Sequence, residues 1–255
     1  MVSQAANTPV IFSRFPSTRR VALAVISVAL ALAGCATAVE QRVETVIQDA
    51  LPKAIGPALR YDVTVAGVSS AANRFDKVHM IGSRVAREGV PVFDRVEGDL
   101  NGVVVNREEK RLVRIGSAAL VADLLAIDIA SYLMSRGLIE DARVSFVAPS
   151  SFIATGRVKI PGITLGSAAT GEFRGNLQAA GSQLRLNVES LGFGSVAVPA
   201  LLRSALEAAI NPLVDLSSFA VPSRIDSVQV AGEKLQIRAS GVELVPNQRL
   251  LQPRS

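Results

Sequence analysis

Tryptophan is missing from this chain, tyrosine occurs twice, and histidine and cysteine occur once each. Each scarcity closes off a class of function. With aromatics at 4% there is no set of stacking platforms for sugars or single-stranded nucleic acid. One cysteine cannot form an intramolecular disulfide, and with a single histidine it leaves too few ligands for zinc. No metal and no cofactor is expected. A Ser-His-Asp triad would have to use His79, which sits in a strand-like run between Val78 and Met80. No Gly-x-Ser-x-Gly elbow accompanies it, so His79 reads as a solvent-facing strand residue, no catalytic residue is assigned, and the chain reads as not an enzyme.

Excess positive charge is also scarcer than it first looks. The formal charge is +5, but Arg14, Arg19 and Arg20 precede Cys35 while no acidic residue does, so the rest of the chain carries only +2. No dense Lys/Arg run remains, and a nucleic-acid partner is not expected. Arg107-Glu108-Glu109-Lys110-Arg111 reads as a solvated charged turn. Gly192-x-Gly194 is too short for a dinucleotide fingerprint. Asp123 and Asp128 are five positions apart, too far round a helix to work as a carboxylate pair, and read as solvent-facing or salt-bridged.

What is present is aliphatic. Hydrophobic residues make up 49% of 255 residues, and they are mostly Val, Leu, Ile and Ala, which favours a sheet-rich core. The N-terminus is organised as an export signal. Arg19 and Arg20 form a basic start, Val21 to Ala33 an apolar run broken only by Ser27, and Leu32-Ala33-Gly34-Cys35 a cleavage pattern of small residues. These four residues resemble a lipobox, in which the cysteine takes a diacylglycerol and becomes the new N-terminus. The run is short for a bilayer span. The alternative is an ordinary signal or short anchor with an incidental buried cysteine. The expected division is a signal peptide over 1–34, a lipidated tether over 35–41, an α+β domain over 42–241 and a loose tail over 242–255. Cys35 then supplies the lipid attachment and ties the chain to a membrane of the cell envelope. Ala36, in place of an Asp, resembles the outer-membrane sorting pattern and implies the periplasmic face if the cell has two membranes.

Along the mature chain, Val43, Val46, Ile47, Ala50 and Leu51 recur at helical spacing, predicting a helix over 39–54 stopped by Gly56-Pro57. From Tyr61 the period becomes two. Strands are expected from Tyr61, over 75–85, 92–105 and 111–115, then over 143–147, 152–160, 164–174 and 183–191. Ser117 is expected to cap a helix running to Ser135, apolar nearly all round and ended by Gly137. A third helix is expected over 200–210, after Pro199 and before Asn211-Pro212. A hairpin with arms 226–230 and 235–239 turns through Gly232-Glu233. The layout is α+β: a long antiparallel meander with helices inserted.

The segment Leu51-Pro52-Lys53-Ala54-Ile55-Gly56-Pro57-Ala58-Leu59-Arg60-Tyr61-Asp62-Val63 resembles the opening of the LmeA-like phospholipid-binding family. Phe193 to Leu202 resembles the family's glycine-marked strand running into a helix. Leu213-Val214-Asp215-Leu216 and the hairpin Ile225 to Ile237 resemble its closing part. The likeness spans roughly residues 40–241. It implies a long curved antiparallel sheet wrapped around apolar helices, similar to one half of a tubular lipid-binding (TULIP-like) fold. It also implies phospholipid as the partner, held by its acyl chains in an apolar groove for holding or transfer. It carries no catalytic motif.

A groove for an acyl chain needs a continuous apolar trough with few hydrogen-bonding demands, because each buried methylene is worth about 0.8 kcal/mol. Leu120, Leu124 and Ile127 on the expected 117–135 helix, and Leu201 and Leu202 on the 200–210 helix, are the candidate lining residues. Phe146, Phe152 and Phe193 are candidates for its opening. The same residue types also build a filled core, which would make the protein a structural or scaffolding lipoprotein; an envelope hydrolase using His79 is the third reading.

Overall fold

The computed structural model describes residues 44–68, 73–106, 108–109, 111–159, 170–193, 196–219 and 221–246. The segments expected as signal, lipobox with Cys35 and tether, together with Gly194 and the end of the chain from residue 247, lie outside them. The described residues fall within one compact unit, Glu40–Ser255.

Among the described residues there are three helices and twelve strands. Helix α1 covers 44–54. Four strands follow: β1 (Arg60–Val68), β2 (Arg74–Val85), β3 (Phe93–Asn106) and β4 (Arg111–Leu125). Helix α2 (Ala126–Ser135) leads to β5 (Ile139–Val147), β6 (Ser151–Val158), β7 (Thr170–Ala180), β8 (Gln183–Phe193) and the short β9 (Val196–Ala197). Helix α3 (Ala200–Ile210) precedes the short β10 (Val214–Asp215), a 3-10 turn Leu216–Ser218, and the closing hairpin of β11 (Arg224–Ala231) and β12 (Lys234–Leu244).

The strands form two antiparallel sheets. The first runs β1-β2-β3-β4-β12-β11 and the second β10-β8-β7-β6-β5, with β9 added on β8. The second is strongly curled. The α+β class with antiparallel sheet is the one the change of period implied, and the curvature is what the family resemblance implied. Strand β11 joins the two sheets. Ile225 N donates to Gly181 O (2.8 Å) and Val230 N to Pro149 O (2.7 Å), both in hairpin turns of the second sheet.

The helix expected over 117–135 is corrected. Its first half is the end of β4, and only Ala126–Ser135 is helical. Strand β4 lies between β3 and β12, with Leu120 opposite Gly98 on one side and Ala239 on the other. A strand paired on both edges reads as a nearly continuous apolar run, which helical-wheel spacing cannot distinguish from a buried helix. The strand period is present all the same. Ala118 and Leu124 are buried, and Leu120 and Ala122 between them face the same way, while Asp123 alternates to the opposite face.

Helix ends follow local chemistry. Gly137, at φ 67°, turns the chain out of α2, with Gly137 N bonded to Met134 O and Leu138 N to Leu133 O. Helix α3 is fastened to β8 by Asn211, whose amide donates to Leu186 O and accepts from Leu186 N, both at 2.7 Å. Strand β12 continues through Leu244, where Val242 pairs with Ser117 and Leu244 with Ile115, so the strand outlasts the pattern that fades after Gly241.

Candidate functional site

Small residues hollow one face of the first sheet. Met80, Gly98, Leu120 and Ala239 are register neighbours across β2, β3, β4 and β12. Two residues along, Val96, Ala122 and Ile237 form the next row. Gly98 has no side chain, and Ala122 and Ala239 have only a methyl group, so the middle of the sheet is lower than its flanks. A Cβ on Gly98 would come within 2.7 Å of Met80 Cε and 2.8 Å of Leu120 Cδ2.

Helix α1 forms a second wall. Its inner face carries Leu51 and Ala54, with Ile55 just beyond, and Ile47 behind them is fully buried. The helix is held against β1 by Glu44 Oε1, which accepts from Val65 N (3.2 Å). Tyr61 reinforces the junction through its hydroxyl, which donates to Gly56 O (2.7 Å), and burial pushes its ionisation above the ordinary tyrosine range.

The third wall is the strap between β10 and β11, which contributes Leu216, Phe219, Val221 and Ser223. Phe219 meets Phe93 edge-on, with ring centres 6.4 Å apart. Arg87, from the β2–β3 turn, clasps the strap. Its Nη2 donates to Ser218 O (2.5 Å), its Nη1 to Ile55 O (3.4 Å), and its guanidinium carbon lies 4.7 Å from the centre of the Phe219 ring. Asp215 sets the strap's start. Burial pushes its carboxyl up, but hydrogen bonds from Ser217, Gln183 and Ser182 outweigh this and hold it below the usual carboxylate range.

Together these walls enclose a narrow slot, partly open to solvent, with about 730 Å³ of space free of protein atoms, the open part included. Among the described residues the lining is hydrocarbon apart from Ser223. A second crevice of about 220 Å³ lies between α2, α3 and the second sheet, lined by Ile129, Leu133, Phe152, Leu177, Leu186, Ile210 and Leu213.

The candidate lining residues are not brought together. Leu120 lines the large cavity, but from a strand. Leu124, also on β4, is sealed in the core. Ile127 on α2 and Leu201 on α3 face outward, 64% and 77% exposed. Leu202 is half-buried against the core. Phe152 lines the smaller crevice and packs edge-on to Phe173, while Phe146 and Phe193 are half-buried in β5 and β8. Leu51, Ile55 and Leu216 stand out in the sequence only through the helix pattern and the family resemblance, and neither they nor Phe219, Val221 and Ser223 are expected there as lining residues. The available signal was Gly98, Ala122 and Ala239 at alternating positions of apolar strands.

His79 lies on the sheet face opposite Met80, its Nδ1 3.2 Å from Asp99 Oδ1 and its Nε2 3.9 Å from Glu97. Asp99 is held below the usual carboxylate range, first by the hydrogen bond from His79, then by Lys77. Asp123 and Asp128 are both ion-paired, to Lys234 and Arg84 respectively. Among the described residues no cluster of His, Cys, Asp and Glu is placed to hold a metal ion, and no helix is long and apolar enough to cross a membrane.

The family model described as LmeA-like phospholipid-binding matches residues 30–240. No curated protein and no solved structure gives a significant match to the chain.

Proposed function

This chain belongs to the LmeA-like phospholipid-binding family, and on that premise we propose that it is an envelope lipoprotein that holds the acyl chains of a phospholipid in the cavity beneath the strap. It is a carrier, not a catalyst, and it holds or transfers lipid while tied to a membrane by lipid on Cys35. The observation that carries the reading is the hydrocarbon-lined slot between the hollowed sheet, α1 and the strap. Such a slot gains from an acyl chain and offers nothing to a polar ligand.

The anchor follows from Leu32-Ala33-Gly34-Cys35 at the end of an apolar run. Ala36 favours the outer membrane, periplasmic face, in a cell with two membranes. Cysteine with several acyl chains holds a membrane durably, where a single chain is marginal.

The test is native mass spectrometry of the detergent-purified protein, followed by organic extraction. Phospholipid bound at a fixed ratio to protein supports the reading. A chain that carries none, and takes up none from phospholipid vesicles, returns the slot to ordinary core packing and the protein to a scaffold.

A further inference from the structure

Among the described residues, the cavity wall offers a ligand almost no hydrogen-bonding group. Its one polar side chain is Ser223, which is buried, and its hydroxyl is turned to Val221 O within the strap (3.4 Å). The backbone groups of β2, β3, β4 and β12 at this point are spent in their ladders. Ionic groups on this part of the sheet, Asp123 among them, lie on the opposite face. A headgroup drawn inside would lose its water and gain no partner, which is strongly unfavourable.

We infer that this site selects its lipid by hydrocarbon and not by headgroup, and that Gly98, Ala122 and Ala239 set which chains fit. The inference rests on the reading above that the slot is the lipid site. The ligand class is then a phospholipid of any headgroup with chains that fit the slot. The headgroup stays in water outside the slot, because the wall has no partner for it.

Two physical contrasts follow. A site built to hydrogen-bond a polar group rejects analogues lacking it by large factors, whereas an apolar pocket distinguishes only by size and fit. Relative to water, each methylene added inside the slot strengthens binding by about fourfold until the slot is filled, whereas a methylene that no longer fits stays in the bilayer or in water. The room for a chain is set by the low middle of the sheet. A side chain at Gly98 pushes Met80 Cε and Leu120 Cδ2, both flexible ends, into the space a chain would use. The backbone there is ordinary extended strand, so Gly98→Val is compatible with the fold. Ala239→Leu, opposite Leu120 on β12, narrows the same place independently.

The experiment presents the full-length protein with vesicles that mix phosphatidylglycerol and phosphatidylethanolamine, each carrying the same series of chain lengths. Bound lipid is extracted and weighed by mass spectrometry. The headgroup ratio of the bound lipid should match that of the vesicle to within about threefold, while the chain lengths are narrowed. Gly98→Val and Ala239→Leu, checked for folding by thermal melts, should shift bound chains to shorter lengths and leave the headgroup ratio alone. Bound lipid enriched roughly tenfold or more in one headgroup at equal chain length overturns the inference. So does an unchanged chain distribution in both folded variants. Either result leaves lipid binding standing. A wild-type protein that takes up no lipid overturns the function proposed above instead.

Discussion

Arg84 grips Asp128 with two hydrogen bonds, Nη1 to Oδ2 at 2.7 Å and Nη2 to Oδ1 at 2.6 Å, and so ties the end of β2 to the first turn of α2. The carboxylate is almost wholly buried while the guanidinium is 40% exposed. Asp128 also faces the amide end of its helix, which favours a negative charge. Asp94 lies 3.8 Å from Arg84 and 2.7 Å from Lys234, and Lys234 in turn reaches Asp123. This chain of charges fixes where β4 ends and α2 begins.

Removing Arg84 leaves Asp128 buried without its partner, so Arg84→Met is expected to destabilise the fold. The loss should be about 1–3 kcal/mol, kept from the upper range of buried pairs by the exposure of the guanidinium. Urea unfolding checks it. Asp128→Asn, which removes the charge and keeps the shape, should lose less. Equal losses would mean that the ion pair contributes nothing beyond packing.

Acid should loosen the strap through Asp215. Its carboxyl is held below the usual range by Ser217, Gln183 and Ser182, against the opposing effect of burial. A depressed folded-state value stabilises the protein above the unfolded value of about 3.9, and that contribution is lost as pH falls through the folded value. Wild-type thermal midpoints should therefore drop more steeply below about pH 4 than those of Asp215→Asn, which is already weakened at neutral pH. Asp99 and Glu140 are depressed as well, by His79 and by Lys159 respectively, but they titrate in both proteins and cancel in the comparison. Parallel pH profiles would show that Asp215 is not the acid-sensitive tie.

Arg87 should govern how fast a bound lipid leaves. It holds Ser218 and the face of Phe219, and Phe219 covers the slot beside Phe93. Arg87→Ala removes this clasp without touching the hydrocarbon wall. We expect a modest stability loss, about 0.5–2 kcal/mol, with faster lipid release to acceptor vesicles and little change in the chains selected. Release kinetics from preloaded protein measure it. Phe219→Ala should speed release further, because it opens the wall itself, and should cost more stability, about 3–5 kcal/mol.

Much of the fold is legible in the residues because its signals are local. Gly232-Glu233 between alternating arms is the β11–β12 turn, with Gly232 at φ 64°. Pro199 and Asn211-Pro212 bracket α3 at Ala200–Ile210. Gly137 ends α2 because the chain needs a positive φ there. Residues 117–125 misled because Ala-rich apolar sequence suits a helix, and only pairing with β3 and β12 makes it a strand. The site failed for a related reason. Met80, Gly98, Leu120 and Ala239 meet through three strand registers across widely separated segments. Residue type announced an aliphatic lining, but pairing decided its address. Leu120, expected on a helix, therefore lies on the wall as a strand residue, whereas Leu201, with the same side chain, faces outward from α3.

The tether should prove as necessary as the slot. If Cys35 carries lipid, residues 35–43 lie between the anchor and α1. Fully extended, that stretch spans no more than about 30 Å, which keeps the domain close to the bilayer it draws from. Cys35→Ser should abolish labelling by radioactive palmitate and move the protein from the membrane fraction to the soluble envelope fraction. The slot is untouched by the change, so the variant should still bind lipid in vitro at wild-type occupancy. Its rate of exchange with vesicles should fall, because each encounter must then be found by diffusion and not by reach. A Cys35→Ser protein that stays with membranes and keeps its label would assign the anchor to another residue, and exchange at the wild-type rate would show that the tether does no work in loading.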